Sequence, residues 1–407
     1  MMNKKDTFIY LEPYTHVETC EDNILIYNQI TGFILQESRK EIIEIVKRLN
    51  KENKVCVAKV NSDELNNKYV KTFIQDLKKH YLGDIIRSDK LPVQVLPIPK
   101  IEYNYDNQVD CPNILSNLLE LTFHLNSYNQ DNYPNKFLNL YKQFYSNYSD
   151  RGGYNLPLYD IVNLVNECKK GALYKINILG GNVLEYENYK ELVKYMNDIN
   201  CTKDYYLYYK DNISILELKH VDQNSRFKVL IDFPLEENCI KKILQCITEL
   251  PNSVTIIYIV ENENDLENAE DLSRKYSFSD VQFNPYYNGN NLDFFKKTVF
   301  IDNSDIIDSK PTKDELFRNQ IINSHYLGKL TILNNGDIYS NPNSHKVGTI
   351  KDSIYEIVHK VLKCKSSWRL LRNDVEPCKC CSFRLFCPPI SNYEYVIGQY
   401  NLCTIKN

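Results

Sequence analysis

Near its C-terminal end the chain reads Cys378-Lys-Cys-Cys381-Ser-Phe-Arg-Leu-Phe-Cys387-Pro-Pro389, and one further cysteine, Cys403, follows. A Cys-x-x-Cys turn aims two thiolates at one point, and a third cysteine six residues on closes the same face. A fourth, returning after a short excursion, completes the sulfurs that a tetrahedral metal or an iron–sulfur cluster takes. Cys378, Cys381, Cys387 and Cys403 are therefore the candidate metal ligands, and Cys380, inside the turn, is read as a spare thiol. A [4Fe–4S] cluster, zinc and plain thiols are all compatible with this spacing. Either metal would be structural, because four thiolates leave no open coordination position.

Immediately upstream, Asn335-Gly336 predicts a hairpin, and a helical pattern follows over 351–363. Further back the rhythm differs. Strand-like segments at Leu118–Leu125, Tyr174–Leu179, Tyr205–Tyr209, Phe227–Asp232, Val254–Val260 and Val281–Tyr286 alternate with helical patterns such as Tyr189–Met196. Buried strands alternating with amphipathic helices at this spacing predict a parallel α/β sheet or partial barrel over 118–300. Residues 88–117 contain Leu91-Pro-Val-Gln-Val-Leu-Pro-Ile-Pro99, whose prolines interrupt helix propagation and mark a connector.

Residues 1–87 read as a unit of their own. Thr7–Leu11, Asn23–Tyr27 and Ile30–Leu35 are strand-like. Ser38 with Glu41 suggests a capping box for a helix Arg39–Leu49. Tyr69, Phe73, Leu77 and Tyr81 recur every fourth residue, predicting a helix that ends with Gly83 as its C′ residue. Strands followed by helices at this length suggest a winged-helix-like module.

Composition narrows the function. The net charge is −4, from 49 Lys+Arg against 53 Asp+Glu, and no basic block points to nucleic acid. No apolar run approaches the ~20 residues of a membrane span. The N-terminus lacks a signal-peptide core, so the 13 cysteines are read as thiols and ligands in a cytoplasmic protein.

Three landmarks together resemble one family. The first is the strand Leu118–Leu125 with its following loop, and the second is Gly180-Gly181-Asn182-Val183, which looks like a degenerate GGEP motif. The third, Asn335-Gly-Asp-Ile-Tyr-Ser-Asn-Pro342 through Val347-Gly-Thr-Ile350 to Cys378–Cys387, looks like a SPASM domain. In this order they resemble the SPASM-type radical S-adenosylmethionine peptide maturases, with a (β/α)6-type partial barrel over 118–300 and the SPASM-like domain over 301–407. The N-terminal module resembles the element by which such proteins hold leader peptides.

The departures from the family pattern carry the functional expectation. The resemblance implies a CxxxCxxC triplet after the first barrel strand, but that loop reads Asn126-Ser-Tyr-Asn-Gln-Asp-Asn-Tyr-Pro-Asn135, and the triplet occurs nowhere in the 407 residues. Asn, Ser and Tyr are poor substitutes for thiolate on iron. The family's GGEP glutamate, which helps hold the cofactor's amino group, is Asn182 here. Losing that charge removes a hydrogen bond typically worth about 1.5–3 kcal/mol. The resemblance also implies a first auxiliary cluster, whose ligand positions are Asn341, Ser391 and the neighbourhood of Ser324 and His325. The set for the second, Cys378, Cys381, Cys387 and Cys403, is whole. The expectation is a pseudoenzyme: one [4Fe–4S] cluster (or zinc), no functional S-adenosylmethionine site, and no catalytic residues. Its partners would be a precursor peptide and an active radical S-adenosylmethionine maturase. Phe33, Leu35, Phe73 and Leu77 are the candidate peptide-binding residues, along Thr31–Gln36 and the Tyr69–Tyr81 helix. The other reading is an iron–sulfur enzyme or electron-transfer protein of the same family with atypical chemistry.

Overall fold

The computed structural model describes residues 6–20, 22–50, 56–88, 113–127, 139–146, 153–250 and 252–405. The Pro-rich stretch 91–99 and the loop residues 128–135 lie outside them.

The N-terminal part holds β1 (Asp6–Leu11), β2 (Thr15–Thr19), β3 (Ile24–Asn28), β4 (Ile34–Glu37), α1 (Lys40–Leu49), β5 (Val57–Val60), α2 (Ser62–Asn66), α3 (Lys68–Lys79) and β6 (Gly83–Ser88). They form two antiparallel three-stranded sheets, β5-β1-β6 and β2-β3-β4. Ile42, Ile45, Val46 and Leu49 of α1 and Val70, Phe73, Ile74 and Leu77 of α3 pack with Ile9, Leu11, Ile24 and Ile26 into one core.

Two local expectations are corrected. The N-cap of α1 is Arg39, which makes no side-chain cap bond, so Ser38 and Glu41 form no capping box. The C′ residue of α3 is Tyr81, not Gly83. Tyr81 takes φ of 55°, and the Leu82 N–H reaches back to the Leu77 carbonyl at 2.8 Å, the bond that closes a Schellman turn. Gly83 instead opens β6 beside β1, where a Cβ would lie 2.1 Å from the Tyr10 carbonyl oxygen. Glycine is there for close approach of two strands, not for a left-handed turn.

The β2-β3-β4 sheet is buried on both faces, which 87 residues read alone do not announce. Alternation sends Ile24 and Ile26 to the helices and Leu25 and Tyr27 to the opposite side. There they meet Ile306, Leu316, Phe383, Leu385 and Phe386 of the C-terminal part. The Tyr27 ring stands edge-on to Phe386 at 4.9 Å, and its hydroxyl donates to the Pro311 carbonyl at 3.0 Å. From β2, Glu18 pairs with Arg384, and the Cys20 thiol donates to the Cys380 carbonyl.

The rest of the chain is organised on a nine-stranded mixed sheet with the order β12-β11-β10-β9-β8-β7-β13-β14-β15. Its strands are β7 (Glu120–His124), β8 (Lys175–Leu179), β9 (Thr202–Tyr208), β10 (Arg226–Ile231), β11 (Ser253–Val260), β12 (Val281–Pro285), β13 (Lys329–Ile332), β14 (Asp337–Tyr339) and β15 (Lys346–Thr349). The six strands expected between 118 and 300 are all present, mutually parallel and in chain order. Between them run α4 (Leu158–Cys168), α5 (Tyr189–Asn197), α6 (Ile215–Leu218), α7 (Glu237–Glu249) and α8 (Glu263–Tyr276). The helices α9 (Leu292–Thr298), α10 (Asn303–Ser309) and α11 (Lys313–Ile321) lead to β13. That strand pairs parallel with β7, so the sheet continues into the hairpin that Asn335-Gly336 turns. Gly336 sits at φ of 84°, the left-handed region such a turn requires. Last come α12 (Ile354–Lys363) and α13 (Asn392–Ile397), flanking the cysteine segment.

One face of the sheet carries the apolar side chains Leu121, Phe123, Ile176 and Ile178 against the helices. The other face is polar at the strands' N-terminal ends, where a belt of alternating charge crosses the sheet. Lys329 approaches Glu120 at 3.9 Å, Lys175 bridges Glu120 and Asp204 at 3.7 and 3.3 Å, and Arg226 holds Asp204 at 2.6 Å. Lys228 donates to Thr255 at 2.6 Å, and Thr255 in turn donates to Asp280. Buried charges persist only when paired in this way. No helix among the described residues is long and apolar enough to cross a membrane.

Candidate functional site

The four cysteines singled out in the sequence line a single tight recess, about 20 Å³ in volume, together with Arg372, Arg384 and Ile301. Cys378–Cys380 form a 3-10 turn, closed by the Cys381 N–H donating to the Cys378 carbonyl at 2.9 Å. The Cys387 N–H donates to the Phe383 carbonyl at 3.1 Å, so the intervening residues fold back toward the turn. Cys403 is brought in by a short parallel bridge to Ile301, with Ile301 N–H donating to Leu402 at 3.1 Å. Cys380 is exposed, as a spare thiol would be.

Arg372 straps the site. Its guanidinium donates to the Pro388 and Tyr400 carbonyls at 2.7 Å, to the Glu394 carboxylate at 2.7 Å, and to the Cys378 sulfur at 3.6 Å. Neither Arg372 nor Glu394 carries any spacing signal in the sequence, and both were missed there. Burial pushes all three thiols Cys378, Cys381 and Cys387 up, Cys387 to about 12, with the Arg372 charge opposing the shift at Cys378 and Cys387. They are therefore protonated at neutral pH, and the Cys378 thiol donates to the Tyr400 carbonyl at 3.2 Å. Among the described residues no group of three or more His, Cys, Asp or Glu side chains is set at metal-holding separation. The donor set is nevertheless one a soft metal or cluster takes: four sulfurs on one recess, with two guanidinium groups to offset thiolate charge. Loading requires deprotonation and inward movement of the sulfurs.

The segment Gly180-Gly181-Asn182-Val183 is occupied by local contacts. After β8, Gly180-Gly181 passes directly over Asn126. A Cβ on Gly180 would stand 2.2 Å from the Asn126 amide oxygen. Asn126 donates to the Asn182 carbonyl at 2.8 Å, and its backbone and side-chain oxygens accept from the Gly181 N–H at 2.9 and 3.0 Å. The Asn182 side chain accepts from the Leu184 N–H at 3.0 Å and donates to Glu185 at 3.1 Å, capping its own turn, while Val183 is buried in the sheet's core. The bonds of the Asn182 side chain to Leu184 and Glu185 are thus local. The role of Asn126, visible in the sequence only as the first residue of a sulfur-free loop, emerges from the fold.

The positions that the resemblance assigns to an auxiliary cluster converge on a second cavity, of about 280 Å³. His325, Asn341 and Ser391 all line it, with Lys329, His124 and Asn392. Asn341 donates to the Asn392 carbonyl oxygen of its side chain at 2.7 Å, and Tyr326 donates to the same oxygen at 2.8 Å. His325 and His345 are exposed. His124, on β7, is not: it is 2% exposed, and burial pulls its pKa down to about 3. A histidine held neutral in this way stabilises the fold fully above its ordinary 6.5 and loses that contribution as pH falls toward 3. The chain should accordingly shed about 1.4 kcal/mol of stability per pH unit below about 6.5 on this account. His124→Gln should flatten that part of a urea-denaturation profile measured between pH 7 and 4.5, and an unchanged slope would assign the loss to other groups.

The candidate peptide-binding residues divide. Phe73 and Leu77 are fully buried in the N-terminal core, so no peptide touches them without unfolding α3. Phe33 and Leu35 are partly exposed beside β4, an edge strand of its sheet. The strand lies antiparallel to α3: Phe33, just before β4, stacks on His80, just after α3, at 3.5 Å. At the other end the Arg39 guanidinium sits over the Tyr69 ring at 5.2 Å. Tyr69 is 48% exposed.

No protein-family profile matches the chain, and no curated protein sequence matches it. Among solved structures the chain is similar to Streptococcus suis SuiB bound to its precursor peptide SuiA, with 14% identity and a TM-score of 0.49 over 98% of this chain and 100% of that one. SuiB alone gives 12% identity and a TM-score of 0.46, and SuiB bound to S-adenosylmethionine gives 12% and 0.41, each over 97% of this chain and 100% of that one.

Proposed function

We propose that this protein is a non-catalytic, peptide-holding partner of a radical S-adenosylmethionine maturase in the making of ribosomal peptide natural products. Residues 1–87 are a winged-helix-like peptide module, 88–117 a connector, 118–300 a degenerate barrel, and 301–407 a SPASM-like domain whose four cysteines anchor one [4Fe–4S] cluster or a zinc ion. The observation that carries the reading is the contrast between two sites. Four thiols remain grouped on one recess, whereas Asn182 spends its side chain on its own turn, where the family's glutamate would meet the cofactor. The absence of any CxxxCxxC triplet from the chain points the same way.

The peptide would add as a strand to the edge of β4, its backbone pairing with Ile34–Glu37 and its side chains meeting Phe33, Leu35 and Tyr69. Strand addition takes its affinity from main-chain bonds, so Gln36→Pro is the sharper probe: it removes a backbone donor without touching the core. Fluorescence anisotropy with a labelled precursor peptide encoded beside this protein should give micromolar binding, weakened about tenfold or more by Gln36→Pro and by Tyr69→Ala. Wild-type protein that binds neither such a peptide nor a co-encoded maturase at micromolar concentration overturns the reading.

A further inference from the structure

The cavity at His325, Asn341 and Ser391 has an electrostatic character that the resemblance does not supply. Of the described residues lining it, Lys329 alone carries a fixed charge, and no carboxylate faces it. Lys329 is the terminal member of the charge belt. Among the described residues the belt holds four cations (Lys329, Lys175, Arg226 and Lys228) against three carboxylates (Glu120, Asp204 and Asp280), which leaves one positive charge over. The excess falls at Lys329 for a geometric reason. Glu120 is already engaged by Lys175 at 3.7 Å, by the Tyr145 hydroxyl at 2.6 Å and by the Asn177 amide, and Lys329 reaches it only at 3.9 Å. An ammonium has three donors, and one distant contact leaves capacity for a ligand. The Lys329 side chain is 32% exposed, so a solute reaches it through the cavity.

The remaining walls fix the ligand's shape and charge. Thr122, Thr331 and Asn341, each buried, put hydroxyl and amide groups on the wall around Lys329. Tyr141, Phe144 and Tyr393 make an aromatic collar at the same cavity. A single cation with neutral donors suits a singly charged oxyanion, not a phosphate, which takes two charges and is met by several cations or a bidentate arginine. The collar suits a carbon body behind the charge.

We infer that this cavity is a carboxylate-binding pocket, in which Lys329 holds the anion and the aromatic collar holds the carbon skeleton that bears it. The carboxylate comes either on a peptide, as a glutamate or aspartate side chain, or on a free small acid. The pocket lies on the large sheet, apart from β4, so its failure and failure of strand addition at β4 are separate results.

The test uses the full chain in carboxylate-free buffer at fixed ionic strength. Calorimetric or NMR titration with N-acetyl-glutamate-N′-methylamide, its glutamine counterpart, butyrate and inorganic phosphate separates the cases. The glutamate probe or butyrate, each a single negative charge, is expected to bind, with the glutamine probe at least about tenfold weaker, as loss of a charge-assisted bond implies. Lys329→Met should lose the difference between acid and amide, and Lys329→Arg should keep it. Because the belt is neutral without Lys329, Lys329→Met should melt close to wild type, which guards against a folding artefact. A tighter glutamate probe assigns the carboxylate to a peptide, and tighter butyrate assigns it to a small acid. Equal binding of acid and amide, an unchanged difference in Lys329→Met, or phosphate binding tighter than both acids overturns the inference.

Discussion

Cys387→Ala is expected to abolish metal retention and to destabilise the C-terminal part of the chain by several kcal/mol, far beyond the effect of losing a buried thiol. The two magnitudes separate cleanly. An empty recess makes Cys387 a small buried hydrophobe in the cluster with Phe383, Leu385 and Phe386, and trimming it to alanine costs about 1 kcal/mol. In a filled site the metal's binding energy is folding energy, about 10–16 kcal/mol for structural zinc in small domains, and one lost ligand forfeits a large part of it. Cys381→Ala should behave like Cys387→Ala. Cys380→Ala should be silent, since that thiol is exposed and the Cys380 group that Cys20 uses is its backbone carbonyl. Metal analysis and chelator-dependent melting of the three variants decide the matter. Iron–sulfur loading would colour the wild type brown with absorbance near ~400 nm, and zinc would leave it colourless. Equal tolerance of all three substitutions would mean the recess binds nothing. Loading should also release protons, because burial holds the thiols in their neutral form, so apparent affinity rises with pH.

The parallel strands were legible because each is a β-branched or aromatic run of the right length between amphipathic helices, as in Ser253–Val260. The hairpin at Asn335-Gly336 was legible from turn chemistry alone. Short strands were not. β2, Thr-His-Val-Glu-Thr, places polar His16 and Glu18 on a face that is buried, so its alternation reads as solvent-exposed. Only the partner surface 360 residues away makes that face interior. Tyr81 at the end of α3 violates the preference for glycine at a left-handed C′ position, and the nearby Gly83 drew the reading to itself.

The thiol recess was legible from spacing, since four sulfurs must meet for that pattern to have chemical sense. Its surroundings were not. Arg372 and Glu394 are single charges in unremarkable contexts, and only tertiary contact turns them into a strap. The burial of Phe73 and Leu77 follows from a related point: a helical apolar stripe marks what packs inside, and only its margin, where Tyr69 is, stays exposed. The three positions lacking sulfur, by contrast, turned out to share one cavity. Spacing along the chain was enough to bring them to one place.

Glu18 and Arg384 give the second large effect. Their ion pair joins β2 to the segment between Cys381 and Cys387, with side chains only 5% and 14% exposed, and Arg384 also donates to the Cys381 carbonyl at 3.0 Å. His16 lies 3.0 Å from the same carboxylate, and its ring faces Phe386 at 6.3 Å. Removing one partner of such a pair leaves an uncompensated charge in an apolar interface, at a cost of about 3–5 kcal/mol. Arg384→Met and Glu18→Gln should each destabilise the chain by an amount in that range, measured by denaturant unfolding. The double variant should recover most of the loss, because a methionine and a neutral amide no longer need each other. The same contact makes the N-terminal sheet sense the cysteine segment: β4 is one strand removed from β2 in that sheet. Stripping the metal should therefore weaken peptide binding at β4 in the wild type and do so less in the double variant, where the packing of Leu25 and Tyr27 on Phe386 and the Cys20–Cys380 bond remain but the ion pair is gone. Additive single losses, or peptide affinity indifferent to metal in the wild type, would reduce Glu18–Arg384 to an ordinary contact between two independent lobes.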